Sequence, residues 1–125
     1  DGECQEGQIW EAAMTAAQYK LDNLITFVDV SRAQCDGWVD DIVSMNHMKE
    51  RWEAFGFFAQ EIDGHDVEAI YDAIEKAKAT KGVPSVILLN TVKGKGIPTF
   101  EKLGCKNHHI PITKELEAQA LAELA

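Results

Sequence analysis

The chain has 125 residues, 46% hydrophobic and 26% charged, with a formal net charge of −9; that length makes one compact unit, with enough apolar content for a small α/β core. The Lys/Arg residues form no long basic run, the Lys93 and Lys95 pair included, which argues against nucleic-acid binding, and no apolar run approaches the roughly 18 residues of a membrane span. Cys4, Cys35 and Cys105 are odd in number and lack Cys-x-x-Cys spacing, so neither a disulfide framework nor a zinc site is indicated and reduced, buried or semi-buried thiols in a cytoplasmic protein are expected.

The chain opens on Asp1-Gly2-Glu3 with neither initiator Met nor signal peptide, and reads as one domain over residues 1–125 truncated at its amino terminus. Residues 8–21 are rich in helix formers, with Ile9, Ala13, Ala16, Ala17 and Leu21 on one face. Leu24 to Val30 is β-branched and aromatic, and reads as a strand covered on both faces. A helix of that length advances roughly 21 Å and the strand returns roughly 23 Å, so Ser31 comes back to the level of Asp1. Strand-helix-strand units make parallel neighbours, which puts Asp1 and Ser31 side by side at the carboxyl ends of adjacent strands, where open α/β sheets bind ligands.

That edge suits a phosphate-bound divalent cation. An aspartate supplies a hard oxygen, the Gly2 amide can approach a phosphate closely, and a helix amino terminus after Gly7 favours negative charge. Mg²⁺ takes only one or two carboxylates and completes its shell with phosphate, carbonyls and water. A lone Asp-Gly is equally a plain turn between strand and helix.

Further along, Gln34 to Asn46 reads as a loop turned by Asp36-Gly37, with Trp38, Val39, Ile42 and Val43 sealing an apolar surface. A short helix over residues 47–55 stops at Gly56, a position for a left-handed cap. Residues 57–62 form a strand. A helix capped by Asp66 follows, with Val67, Ile70, Tyr71, Ile74 and Ala77 facing the sheet. Ser85 to Thr91 is the most apolar strand and so the central one. Lys93-Gly94-Lys95-Gly96 at its carboxyl end is either a loop over the site or a solvated one. Thr113 caps a last helix whose Leu116, Ala120, Leu121 and Leu124 pack on the sheet or on a partner.

Asp-Gly-Glu-Cys-Gln-Glu-Gly-Gln-Ile-Trp-Glu-Ala at the start, Leu21-Asp22-Asn23-Leu24-Ile25, and Gln34-Cys35-Asp36-Gly37 together resemble the thiamine-diphosphate motif of transketolases. The likeness continues through Trp52-Glu53-Ala54-Phe55-Gly56, Asp63-Gly64-His65-Asp66 and Thr91-Val92-Lys93-Gly94-Lys95-Gly96, and is greatest to the amino-terminal subunit of split, two-gene transketolases. It implies a three-layer, doubly wound, mostly parallel α/β sheet of the thiamine-diphosphate-binding type. It further implies thiamine diphosphate and Mg²⁺ or Ca²⁺ as cofactors, sugar phosphates as substrates, a carboxyl-terminal subunit carrying the pyrimidine domain as partner, and a homo-oligomer.

By the same resemblance, Asp1, Ser31 and Ala33 match the metal-binding positions, Ala33 through its carbonyl. Gly2 and Glu3 fall in the cofactor-binding motif. Glu6 matches a glutamate near the subunit interface, and His108 or His109, ahead of Pro111, matches a histidine near cofactor or substrate. One departure stands out: the family's metal-binding asparagine is here Ser31, a shorter and weaker donor. The resemblance also leaves open a related thiamine enzyme acting on other ketols, and a non-catalytic remnant or interaction module of the same fold.

Overall fold

A computed structural model describes residues 1–125. A 3₁₀ turn at Gly2–Gln5 leads into α1 (Gly7–Gln18) and β1 (Ile25–Val30). A two-stranded antiparallel hairpin, β2 (Ala33–Gln34) and β3 (Gly37–Trp38), is followed by the short helices α2 (Val39–Ile42) and α3 (Met48–Ala54). Then come β4 (Phe58–Asp63), α4 (Val67–Ala79), β5 (Ser85–Asn90), α5 (Pro98–Glu101), a 3₁₀ turn at Gly104–His108, and α6 (Lys114–Leu124).

The sheet runs β1-β5-β4, all parallel, with Val28 beside Leu88 and Ala59 beside Val86. The central place of β5 follows from its sequence: Ser85, Val86, Ile87 and Leu88 are all buried, as a strand covered on both faces requires. On one face Val28, Val86, Leu88 and Ala59 join Ala13 and Ala16 of α1 and Met48 and Trp52 of α3 in a single core. On the other, α4 lies across β4 and β5 through Ala73 and Ala77, small enough for the helix to approach until Gln60 Nε2 donates to the Ala73 carbonyl at 2.8 Å.

An aromatic cluster ties α1 to α3. The Trp10 ring centroid lies 5.1 Å from that of Trp52 and 4.9 Å from that of Phe55, and Trp52 meets Phe57 edge-on at 4.9 Å. Trp10 Nε1 donates to the Cys4 carbonyl at 2.8 Å, so the core also holds the turn carrying Gly2 and Glu3. Gly56 ends α3 at φ 89°, the left-handed conformation expected there. Asp66 caps α4 by accepting from the Glu68 and Ala69 amides, and Thr113 caps α6 by accepting from Leu116 N–H.

Five sequence expectations are corrected. The first helix closes at Gln18 because Lys20, at φ 52°, takes the left-handed position while Leu21 N–H donates to the Ala16 carbonyl, an ending no glycine announces. β1 is covered on one face only: α4 spans β4 and β5, and Phe27 stays 47% exposed. Residues 34–46 hold most of the hairpin and all of α2, and of Trp38, Val39, Ile42 and Val43 only Val39 is buried. On α4, the phase set by the Asp66 cap leaves Val67 76% and Tyr71 63% exposed. On α6, it is packing of the stripe on the sheet that is corrected: Ala120 is buried but Leu121 and Leu124 are exposed, and within the chain the helix is held by polar bonds, its Glu123 accepting from Thr99 N–H at 2.9 Å and from the Thr99 hydroxyl.

Candidate functional site

Asp1 stands at the carboxyl end of the sheet, next to the end of β1. Its amino group donates to the Asp29 carbonyl at 2.6 Å, and its carboxylate accepts from Arg32 N–H at 2.7 Å through Oδ2 and from Gly2 N–H at 3.0 Å through Oδ1. Two backbone donors thus fix the carboxylate's orientation while leaving lone pairs on each oxygen. Arg32 adopts φ 59°, so the chain reverses after Ser31 in a conformation that side-chain-bearing residues rarely take. That reversal directs Arg32 N–H at Asp1 and starts the hairpin at Ala33.

Around Asp1 lies a polar cleft of about 500 Å³, lined by Gly2, Glu3, Glu6, Ser31, Ala33 and His108, all expected from the sequence, together with Lys93. Gln5, Asp29, Gln34, Cys35 and Asp36 complete it. The hairpin places Gln34 over the first turn: Gln5 Nε2 donates to Gln34 Oε1 at 2.9 Å, and a Cβ on Gly2 would come within 2.9 Å of that same oxygen. Gly2 therefore sits where any side chain would crowd the cleft. Glu6 precedes α1 as an exposed residue with no side-chain capping bond, and it lines the cleft.

The histidine pair separates. His108 lines the cleft at the end of the Gly104–His108 turn, whereas His109 is exposed and outside it. Lys93 is half-buried on the loop after β5. Gly94 and Gly96 take positive φ in that loop, and a Cβ on Gly94 would come within 2.7 Å of both Asn107 Nδ2 and Phe100 Cβ. The loop is thus packed against the segment that carries His108. No group of three or more His, Cys, Asp or Glu side chains is arranged to hold a metal ion; the cleft offers the Asp1 carboxylate, oriented by two backbone donors, the Ser31 residue and further carboxylates from Glu3, Glu6, Asp29 and Asp36.

The sequence did not single out Arg32, Gln34, Cys35 or Asp36 as site residues. Arg32 acts through its backbone N–H and Gln34 through hairpin geometry, and neither leaves a mark in residue type. Among the thiols, Cys4 is buried, Cys105 half-buried and Cys35 exposed, which corrects the expectation that all would be buried or semi-buried. Burial raises the Cys4 pKa above the ordinary thiol value.

The family described as "Transketolase, thiamine diphosphate binding domain" matches residues 1–123. The chain belongs to the transketolase family. It is 46% identical over 124 residues to the 6-deoxy-6-sulfo-D-fructose transketolase subunit of Clostridium sp. (strain MSTE9), covering 99% of this chain and 45% of that one. It is 43% identical over 124 residues to an apulose-4-phosphate transketolase subunit of Actinobacillus succinogenes, covering 99% of this chain and 44% of that one. The chain thus spans less than half the length of these curated relatives.

Among solved structures, the transketolase of Campylobacter jejuni superposes with a TM-score of 0.86 at 34% identity, over 99% of this chain and 19% of that one. The Pichia stipitis transketolase superposes with a TM-score of 0.87 at 27% identity, over 99% and 18%. The α/β thiamine-diphosphate-binding fold expected from the sequence is the fold of this transketolase-family chain. None of its helices is long and apolar enough to cross a membrane.

Proposed function

We propose that this chain is the diphosphate-binding half of a transketolase-type enzyme, holding thiamine diphosphate through a divalent cation and working with a second subunit that carries the pyrimidine domain. The observation that carries this is the convergence of Asp1, Gly2, Ser31 and Ala33 with Lys93 and His108 on one cleft at the carboxyl edge of the sheet. Oxygen donors of this kind suit Mg²⁺, which binds one or two carboxylates and fills its shell with phosphate oxygens and water.

When bound, thiamine diphosphate supplies the nucleophilic thiazolium carbon used in ketol transfer. Asp1 would hold the cation, with the Ser31 hydroxyl and the Ala33 carbonyl as further donors. Gly2 would admit the diphosphate without a steric block, and Lys93 would offset its charge. His108 would be the cleft residue available to a phosphate or a substrate hydroxyl. Glu3, Glu6, Asp29 and Asp36 make the cleft acidic around Asp1. A bare diphosphate would be repelled there, which supports binding through a divalent cation.

The substrate class that fits is a ketose with an anionic tail. Two relatives are transketolase subunits for a sulfonated fructose and for apulose 4-phosphate, which supports a specialised donor or acceptor. Three unpaired thiols suit a reducing, cytoplasmic setting. Ser31 favours one second reading, a chain that keeps the fold with weakened cofactor affinity. The proposal is tested by mixing the chain with its pyrimidine-domain partner and following ketol transfer between sugar phosphates: transfer by the mixture and none by this chain alone supports it. Transfer by this chain alone would refute the division of labour.

A further inference from the structure

We propose that His65 is a positioning residue: its imidazole holds the loop that brings Lys93 and the His108 segment to the cleft. The Val92 N–H donates to His65 Nε2 at 2.8 Å. In that role Nε2 carries no proton, so the ring is held as the tautomer with hydrogen on Nδ1. Val92 is the second residue after β5, and its neighbour Lys93 lines the cleft. The bond thus acts where the chain leaves the rigid sheet and begins the loop.

His65 is itself well placed to serve as an anchor. The Asp63–His65 turn is tied to the end of β5 by Gly64 N–H, which donates to the Asn90 carbonyl at 2.8 Å, and His65 N–H donates to Asp63 Oδ1 at 2.8 Å. A Cβ on Gly64 would come within 2.5 Å of Thr91 Cγ2, so the turn and the strand end are in direct contact. On the opposite side Thr91 N–H donates to the Val30 carbonyl at 3.3 Å, and the Thr91 hydroxyl donates to the Asp29 carboxylate. Thr91 is therefore fixed toward β1, and Val92 toward α4.

From Val92 the contacts run on. Lys93 is followed by Gly94, packed against Asn107 and Phe100, and Asn107 precedes His108. Asn107 Nδ2 also donates to the Phe100 carbonyl at 3.4 Å. A displacement at Val92 would reach both cleft residues, whereas His65 is outside the set of residues lining the cleft. Misplacing charged groups at a site by even small distances reduces binding, because their orientation is set by such supports.

The function of this latch rests on the cofactor site proposed above, and its test separates the two. Amide hydrogen exchange is measured on the full chain without ligand for the native protein, His65→Ala and His65→Gln, the last keeping an acceptor in Oε1 near the place of Nε2. Titration of thiamine diphosphate with Mg²⁺ follows for each. His65→Ala is expected to speed exchange at Val92 to Gly96 and Gly104 to His108 by roughly tenfold with the β5 amides unchanged, and to weaken cofactor binding several-fold; His65→Gln restores both. Unchanged exchange in His65→Ala, faster exchange with unaltered affinity, or no rescue by His65→Gln would each overturn the proposal. If the native protein binds no cofactor, the site proposal fails, and the exchange data alone still decide whether the latch exists.

Discussion

The Arg32 backbone N–H and the Asp1 carboxylate meet at 2.7 Å across 31 positions of sequence. The bond exists because Arg32 turns left-handed just after β1 ends, which aims a backbone donor, not its guanidinium, at the aspartate. An oriented carboxylate beside a strand end is then available to a cation, with the Ser31 hydroxyl on the same cleft.

Replacing Ser31 by Asn should raise metal-dependent affinity for thiamine diphosphate. An amide oxygen on a longer arm is a better donor to Mg²⁺ than a hydroxyl. Titrations at matched Mg²⁺ concentrations decide this, and a weaker or unaltered affinity in Ser31→Asn would mean that the site is built around serine.

The three thiols should react in the order Cys35, Cys105, Cys4. Cys35 is exposed at the cleft, while Cys4 is buried and its desolvated thiol ionises less readily. Alkylation followed by peptide mass spectrometry reads the order, and Mg²⁺ with thiamine diphosphate should slow labelling at Cys35 alone. Equal protection at all three positions would speak for global tightening in place of occupancy of the cleft.

Acid should loosen α6 before the rest of the fold. Thr99 holds the Glu123 pKa below the ordinary glutamate value of 4.5, first through its hydroxyl and then through its N–H. Glu115 is lowered by its own backbone N–H and by the Thr113 hydroxyl. Lowered carboxylates stabilise the fold fully above the unfolded value, and that contribution is lost as pH falls through the folded one, here below about 4.5. NMR shifts of residues 114–124 should therefore move first on acidification. Glu123→Gln should weaken the docking of α6 at neutral pH and flatten much of that dependence; a helix that stays docked in step with the core down to global unfolding would contradict the assignment.

Trp52 is 2% exposed between Trp10 and Phe57. Trp52→Ala should cost about 3–5 kcal/mol, since a cavity of that size cannot close around rings that are themselves packed. Denaturant unfolding monitored by circular dichroism measures it, and a loss under about 1 kcal/mol would mean that the cluster is loosely packed.

How much of this was legible in the sequence depends on whether side chains or backbone carry the feature. The central strand announced itself by an unbroken apolar run at Val86 to Leu89, and Asp66, Thr113 and Gly56 marked helix boundaries because capping has a residue signature. Asp1 and Ser31 could be brought together from the lengths of helix and strand. By contrast, α1 closed at Gln18, two residues before the left-handed Lys20, where no glycine signals a stop. Val67 and Tyr71 looked apolar enough to face the sheet, yet Ala77, which was expected there, and Ala73, which was not, are the buried pair, since a close helix-sheet approach selects small residues over large ones. The exposed face at Phe27 was invisible to periodicity, which says that a strand is apolar but not which neighbours cover it. Arg32 and the choice between His108 and His109 depended on backbone turns, and only the folded chain separates them.

The most direct measurement is isothermal titration of thiamine diphosphate into the full chain with and without Mg²⁺, for the native protein and for Asp1→Asn, repeated in the presence of a pyrimidine-domain partner. Saturable binding that requires Mg²⁺ and is largely lost in Asp1→Asn is the expected result. Binding of equal strength without the metal, unaltered binding in Asp1→Asn, or none even with the partner present would contradict a cation-mediated site at Asp1.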